Sequence, residues 1–160
     1  MQISTKLSQR DFINANMVML YTKPFLKFAT GLVVGSCVLL LVFSFFVPGI
    51  KITSLAIPVL AISAVPLATY FAAKKIYQQT SSLSEKMEYN FVDEHIIIKG
   101  ETFTGQLAWD KIYKVTKTKN WLLIWQNKQQ ASPIPRKDVR DFDLPKLAGL
   151  LNKHGVTNNL

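Results

Sequence analysis

The sequence predicts an α+β membrane protein, in which a two-helix transmembrane hairpin precedes a small antiparallel β-sheet or partial barrel closed by a C-terminal helix. One observation behind this prediction is that 49% of the residues are hydrophobic although the net charge is +9. Apolar and charged residues must therefore occupy different parts of the chain. A second observation is that turn residues recur at short intervals after residue 86, between segments in which apolar and polar residues alternate. Such punctuation is typical of antiparallel strands.

The hairpin is predicted from two apolar segments, residues 28–47 and 52–73. No charged residue other than Lys51 occurs from residue 28 to residue 73. Each segment is long enough to cross a hydrocarbon core of ~30 Å as a helix, and Pro48 and Gly49 supply a turn between them. Helices of soluble proteins almost always keep a polar stripe, and a signal peptide has a shorter apolar core of roughly 7–15 residues. We therefore expect two membrane anchors.

Positive charge predicts the orientation of the hairpin. Basic residues flank it on the side of the two termini, whereas the connecting turn carries only Lys51. The flanking residues are Lys6, Arg10, Lys23, Lys27, Lys74 and Lys75. The positive-inside rule then predicts a multi-pass protein with both termini in the cytoplasm. Because so much of the positive charge flanks the membrane spans, we expect no nucleic-acid partner.

Three parts are expected along the chain: an N-terminal strand and interfacial helix at 1–24, the hairpin at 25–75, and a cytoplasmic β-domain at 86–160. The N-terminal "QISTKL" alternates as a strand does, and we expect it to join the β-domain and cover an exposed sheet edge. Ser8 and Asp11 are spaced as a helix capping box. The helix that follows could lie at the membrane interface or pack against the β-domain. Gly155 is expected to end the C-terminal helix.

Residues 89–139, "YNFVDEHIIIKGETFTGQLAWDKIYKVTKTKNWLLIWQNKQQASPIPRKDV", resemble the YcxB-like family of bacterial membrane proteins. The matching positions are Phe91 with Asp93, Trp109, Ile112 with Val115, the aromatic strand 121–125, and Ile134, Pro135 and Arg136. The resemblance implies a PH-like β-fold carried on a membrane hairpin in the bacterial inner membrane. It implies no catalytic residue.

The parts of an enzyme site are not found in the sequence. His95 and His154 are the only histidines, and the chain has no glycine-rich phosphate loop, no G-x-S-x-G elbow and no H-E-x-x-H motif. We therefore expect no enzymatic activity, no cofactor, no metal and no small-molecule substrate. The functional residues are sought instead on binding surfaces.

The strand "NWLLIWQNK" is apolar on both faces. We expect Leu122 and Ile124 to face the core and Trp121, Leu123 and Trp125 to look outward. The N-terminal helix could cover this outer surface. A protein partner is the alternative, because tryptophan is frequent at binding hot spots.

Arg136, Lys137 and Arg140 follow Pro135 closely and form a second candidate surface. These cations could contact anionic lipid headgroups, since the domain is tethered near the membrane. The alternative is a rigid edge that carries solvated charges.

Small residues on the two predicted spans form a third candidate. Gly31 and Gly35 make a G-x-x-x-G pair, while Ala64, Ala68 and Ala72 recur every four residues. Such spacing lets helix backbones approach closely. Packing of the hairpin on itself, homodimerisation and partner docking all remain open.

Together these features predict a non-enzymatic adaptor or regulator that binds a protein partner, a second copy of itself or anionic headgroups at the lipid bilayer. Two alternatives remain: a membrane-tethered immunity protein that neutralises a toxin, and a subunit of a larger membrane complex.

Overall fold

The computed structural model describes residues 1–46 and 56–160. The chain forms two compact units. The sheet unit comprises Met1–Ala15 and Ile76–Leu160, and the helical unit comprises Asn16–Lys75. The predicted turn that contains Pro48, Gly49 and Lys51 lies outside the described residues.

A four-stranded antiparallel sheet contains β1 (Gln2–Lys6), β2 (Lys86–Phe91), β3 (His95–Lys99) and β4 (Thr104–Ala108), in that order. β1 lies at the edge and pairs with β2, so that Ile3 is opposite Tyr89. The buried side chains of β1 alternate with exposed ones along the strand, as a strand with one face on a core requires. The prediction that the N-terminal strand joins the sheet is confirmed.

A three-stranded antiparallel sheet follows, with β6 (Trp121–Trp125) between β5 (Lys114–Lys117) and β7 (Ala131–Pro135). The C-terminal helix α4 (Asp143–Lys153) comes next. Gly155 ends this helix with a left-handed φ of 67°, a conformation that glycine adopts at little cost. This position was predicted correctly.

The main hydrophobic core draws on both sheets and on α4. Its most deeply buried members are Ile96, Val115, Leu122, Ile124, Ile134, Leu147 and Leu151. Because the apolar face of α4 lies in the same cluster as residues of both sheets, this helix ties the two sheets to one core.

The helix α1 (Gln9–Thr22) begins at the predicted capping box. The hydroxyl of Ser8 accepts a hydrogen bond from the backbone N–H of Asp11 at 3.1 Å, and the Asp11 carboxylate accepts one from the Ser8 N–H at 3.3 Å. Tyr77 ties the chain beyond the helical unit to the same place. Its hydroxyl donates to the Leu7 carbonyl at 2.9 Å, and its ring lies 5.9 Å from that of Phe12.

The helical unit contains α2 (Pro24–Phe46) and most of α3 (Ala56–Gln79). Among the described residues, one helix is long and apolar enough to cross a membrane, and its candidate span is Pro24–Ser44. None of its apolar window is buried. This segment therefore lacks the covering that the core helix of a soluble protein has.

The small residues of the two helices do not meet across the helical unit. All five are exposed, namely Gly31, Gly35, Ala64, Ala68 and Ala72. Among the described atoms outside the helix backbone, none lies within 4 Å of the place a Cβ would take at either glycine.

Larger side chains lie between the helices instead. A cavity of about 130 Å³ is lined from α2 by Leu26 and Val33 among others, and from α3 by Ile62, Val65 and Pro66. The expectation that the small residues bring the helices of one chain together is thus not met, because bulkier residues occupy that position. Homodimerisation through them stays a prediction.

We predict that Ile3→Ala lowers the free energy of unfolding by about 2–4 kcal/mol, because it leaves a cavity in the core under β1. Ser4→Ala, on the exposed face of the same strand, should change it by less than about 0.5 kcal/mol. Denaturant unfolding of the full chain in detergent, followed by tryptophan fluorescence, measures both. Equal losses in the two variants would contradict the observed register of β1.

Candidate functional site

The aromatic strand β6 is not a binding surface. All five of its side chains are buried, with Trp121 at 5%, Leu123 at 0% and Trp125 at 3% exposure. The prediction that these three look outward is therefore wrong. Leu122 and Ile124 belong to the main core as expected. The indole N–H of Trp125 is also satisfied within the chain, by the hydroxyl of Thr116 at 2.8 Å.

The reason is that the protein buries a second apolar layer. Apart from the main core, the buried hydrophobic residues of the sheet unit are these three and Leu7, Ile13 and Ala15. The latter come from the end of the N-terminal strand segment and the first turns of α1. The second face of β6 is therefore buried within the chain itself, so no partner is needed to cover it.

The predicted cationic surface divides into structural and free residues. The guanidinium of Arg136 donates to the Val139 carbonyl and to the Asp141 carboxylate. Arg140 pairs with Asp143 at 2.8 Å and lies over the ring of Phe142 at 4.5 Å, while Pro135 is buried. Lys137 is exposed and forms no ion pair within the described part of the chain. Arg140 is exposed but already paired, so Lys137 is the one of the four that is exposed and has no ion pair among the described residues.

Lys137 lies at a groove along the free edge of β1, which we call the lysine groove. Its walls are Ser4, Thr5, Lys6, Lys86, Lys137 and Asp138, and its volume is about 280 Å³. The three lysines come from β1, from the first position of β2 and from a short 3₁₀ turn, Arg136–Asp138, that follows β7. Segments far apart in sequence thus bring three cations to one surface.

Strand register explains why two of the three lysines are neighbours. Lys6 and Lys86 are directly opposite in the antiparallel pairing of β1 with β2. Directly opposed like charges destabilise a sheet by a few tenths of a kcal/mol or more. Lys86 has a carboxylate neighbour, Glu88, at 3.7 Å, but both side chains are well exposed and such pairs contribute little. The opposed lysines therefore lower the stability of the sheet locally, and the fold does not require lysine at either position.

A hydrogen bond holds the turn that carries the third lysine, Lys137. The hydroxyl of Thr5, a buried residue, donates to the Asp138 carboxylate at 2.7 Å. This bond holds the 3₁₀ turn against β1, and Lys137 of that turn lines the same groove as Lys6. Asp138 is the only acid in that wall.

A carboxylate clamp fixes the position of Lys86. Glu85 accepts hydrogen bonds from the N–H of Glu101 at 2.7 Å, the N–H of Thr102 at 2.9 Å and the hydroxyl of Thr102 at 2.6 Å. The hydroxyl and backbone bonds from Thr102, with a smaller contribution from Glu101, lower the pKa of Glu85 from its ordinary 4.5. Because these donors stabilise the charged form, the clamp is strongest when Glu85 is ionised.

The clamp also explains the glycine of this turn. A Cβ on Gly100 would lie 2.5 Å from the ring of Phe103 and 2.8 Å from the Glu85 carboxylate. A side chain at this position would have to displace the Phe103 ring and the Glu85 carboxylate.

His154 has a packing role. The ring of His154 stacks on Trp109 at a centroid distance of 5.1 Å, and the Trp109 indole N–H donates to the carbonyls of Val92 and Asp93. In the described part of the chain no group of three or more His, Cys, Asp or Glu side chains is arranged to hold a metal ion.

Comparison with known protein families gives a match over part of the sheet unit. A family model described as YcxB-like protein matches residues 91–151. Residues 91–151 are thus similar to YcxB-like proteins, and we call this part the YcxB-like domain. The match runs from the last residue of β2 into α4, so β1 and the helical unit lie outside it. Searches of curated proteins and of solved structures found no match.

Most of the residues that carry the family resemblance are core residues. In the YcxB-like domain Phe91, Trp109, Ile112, Val115 and Ile134 are all buried. They therefore specify how the domain packs, and they do not mark a ligand site.

Sequence reasoning missed Lys6 and Lys86 as site residues. Lys6 was used only for membrane orientation, and neither lysine belongs to a local motif. The signal that could have found them is the alternation of "QISTKL" and "KMEYNF", which, once the two strands are aligned, brings the two lysines opposite each other.

We predict that Glu85→Gln lowers the melting temperature at pH 7, because the neutral amide loses the charge-assisted bonds of the clamp. The pKa of Glu85 is lowered in the folded state, so its stabilisation is complete above 4.5 and is lost as the pH falls through the lowered value. The difference between wild type and variant should accordingly shrink at acidic pH. Glu94→Gln, at an exposed position, is the control and should melt like the wild type. A difference that persists unchanged at low pH would exclude the clamp as its cause.

We further predict that Arg136→Ala destabilises the protein by about 1–2 kcal/mol, since it removes charge-assisted hydrogen bonds that hold the turn after β7. Lys137→Ala, one residue away, should cause no loss. Thermal unfolding compares the two variants directly. Equal stability of both would show that Arg136 is as free as Lys137.

Proposed function

We propose that this protein is a non-enzymatic, membrane-anchored adaptor or regulator of the bacterial inner membrane. Its YcxB-like domain, a PH-like fold on the cytoplasmic side, recognises anionic groups close to the bilayer. One observation carries the proposal. The most apolar part of the span Pro24–Ser44 is not buried at all.

The anchor is argued from length and exposure. The span has 21 residues and a mean hydropathy of 2.2, and at 1.5 Å per residue it is about 30 Å long, which matches the hydrocarbon core. Large side chains on it are well exposed, including Phe28 at 64% and Leu39 at 59%. Apolar surface of this extent is unfavourable in water, so lipid is the environment that fits it.

A cleaved signal sequence fits this span less well. β1 precedes it in the chain and is paired with β2 in the four-stranded sheet. Cleavage after the span would remove that strand and leave the buried face of β2 short of Ile3 and Thr5. An anchor that stays attached keeps the sheet complete.

The same pairing supports a second crossing. β1 and β2 flank the helical unit in sequence yet belong to one sheet, so a chain that crosses the bilayer once must cross back. The helix α3 has 24 residues and is the segment between α2 and β2 that can do so. Lys74 and Lys75 near its end favour a cytoplasmic location for the sheet unit.

A PH-like fold is favoured by the order of the elements. Four antiparallel strands, three antiparallel strands and a C-terminal helix follow one another in the sheet unit. A recognition role is favoured by the lysine groove, which is the most positively charged concave surface described above.

We predict that the full-length protein stays with the membrane during alkaline carbonate extraction and is released only by detergent. In a Cys37→Ser background, Lys51→Cys should react with a membrane-impermeant maleimide from outside the cell, and Lys128→Cys only in inverted vesicles. Labelling after detergent lysis is the control, since both cysteines should then react. Recovery of the protein in the soluble fraction, or labelling of residue 128 from outside, would refute the proposed anchor or its orientation.

A further inference from the structure

We propose that the lysine groove is a binding site for a phosphate monoester group, held by Lys6, Lys86 and Lys137. This inference rests on the proposed function and deepens it, because it names the anion that the domain recognises and the residues that bind it.

The first argument is charge that the fold does not neutralise. Lys6 and Lys86 are opposite each other across β1 and β2, and Lys6 and Lys137 have no ion-pair partner in the described part of the chain. Glu88 approaches Lys86 at 3.7 Å but is shared with the amide of Gln2 at 3.1 Å and is not in the groove wall. A bound anion would relieve the repulsion between the opposed lysines.

The second argument is that the acid in the groove already has a partner. Asp138 accepts the Thr5 hydroxyl at 2.7 Å, so its role is to hold the turn that carries Lys137. The other residues that line the groove are three lysines, Thr5 and the exposed Ser4. Donors therefore far exceed acceptors on this surface.

The number of cations selects the class of ligand. Each lysine offers three N–H donors and no acceptor. A phosphate monoester carries about −1.5 to −2 charges at neutral pH and three strong acceptor oxygens, whereas a carboxylate carries a single charge. The volume of about 280 Å³ lies at the low end of the ~300–1,000 Å³ range of ligand pockets, which suits a headgroup or a small phosphate compound.

The chemistry is shared by two sources. A lipid headgroup with a terminal phosphate and a soluble phosphate compound both present the same group to the three lysines. The groove recognises that group, and the experiment separates the sources.

The test is lysine footprinting of the full chain in a neutral detergent. Acetylation rates are measured by mass spectrometry with and without inorganic phosphate, at constant ionic strength set by chloride. Lys6, Lys86 and Lys137 should be acetylated several-fold more slowly in phosphate. Lys128 is exposed and forms no ion pair in the described part of the chain, so its rate should not change. Equal slowing of all four lysines would overturn the proposal, because it would indicate general screening.

Three further additives identify the source. Phosphatidic acid in the micelles presents a lipid phosphate monoester, phosphatidylcholine is the lipid control, and polyglutamate presents carboxylates on a polypeptide. Protection by inorganic phosphate and phosphatidic acid supports a lipid headgroup at the site, and protection by inorganic phosphate alone supports a soluble compound. Protection by polyglutamate without protection by phosphate would overturn the proposal and favour an acidic protein partner.

Single variants complete the test. Lys6→Gln and Lys137→Gln should each weaken phosphate binding about tenfold, the effect of one charge-assisted hydrogen bond, and Lys128→Gln should leave it unchanged. All three positions are exposed, and melting curves verify that the variants are folded. If Lys6→Gln and Lys128→Gln bound phosphate with equal affinity, the groove would not be the phosphate site. Because footprinting is done in detergent, its failure is distinct from failure of the carbonate extraction, which tests the anchor alone.

Discussion

The pairing of β1 with β2 is the constraint on which the rest of the sheet unit depends. It joins residues that precede both long helices to residues that follow them, so the chain must close a long loop before the four-stranded sheet is complete. Backbone bonds extend this pairing to the chain end, where the Phe91 N–H donates to the Met1 carbonyl at 2.8 Å. The same register fixes Ile3 in the core and Lys6 opposite Lys86. One set of strand contacts therefore determines the core, the return of the chain and the groove.

Packing and recognition use different residues of this domain. The positions that identify the YcxB-like domain, such as Trp109 and Ile134, are buried, and their identity is explained by the volume and shape of the core. The groove lysines are exposed and belong to two strands and a turn. Lys6 and Lys86 both lie outside the matched residues, and Lys137 lies within them. A family match based on the core thus says how the domain is built and leaves its ligand to be argued from the surface.

Whether the cationic and aromatic side chains are buried, paired or free depends on their neighbours in space. Trp121, Leu123 and Trp125 form an apolar face that a partner could use, but the protein covers this face itself, because a central strand in a small domain is buried most completely on both sides. Arg136 and Arg140 are adjacent to carboxylates, Asp141 and Asp143, in the turn and helix that follow β7. Their charge stabilises that segment, whereas Lys137 has no ion-pair partner among the residues that the structure describes.

The sequence by itself determined the elements that depend on local pattern. The strand periods, the Ser8 and Asp11 capping box, the glycine end of α4 and the apolar span at α2 all follow from spacing of a few residues, and the motif order indicated the family. Only the tertiary structure decided which faces are covered and which cations are free. Lys6, Lys86 and Lys137 line one groove because three distant segments pack together, and β6 is buried on both faces because the folded chain covers it. Local patterns carry no information on such contacts, since they report the period of a strand and not what lies against it.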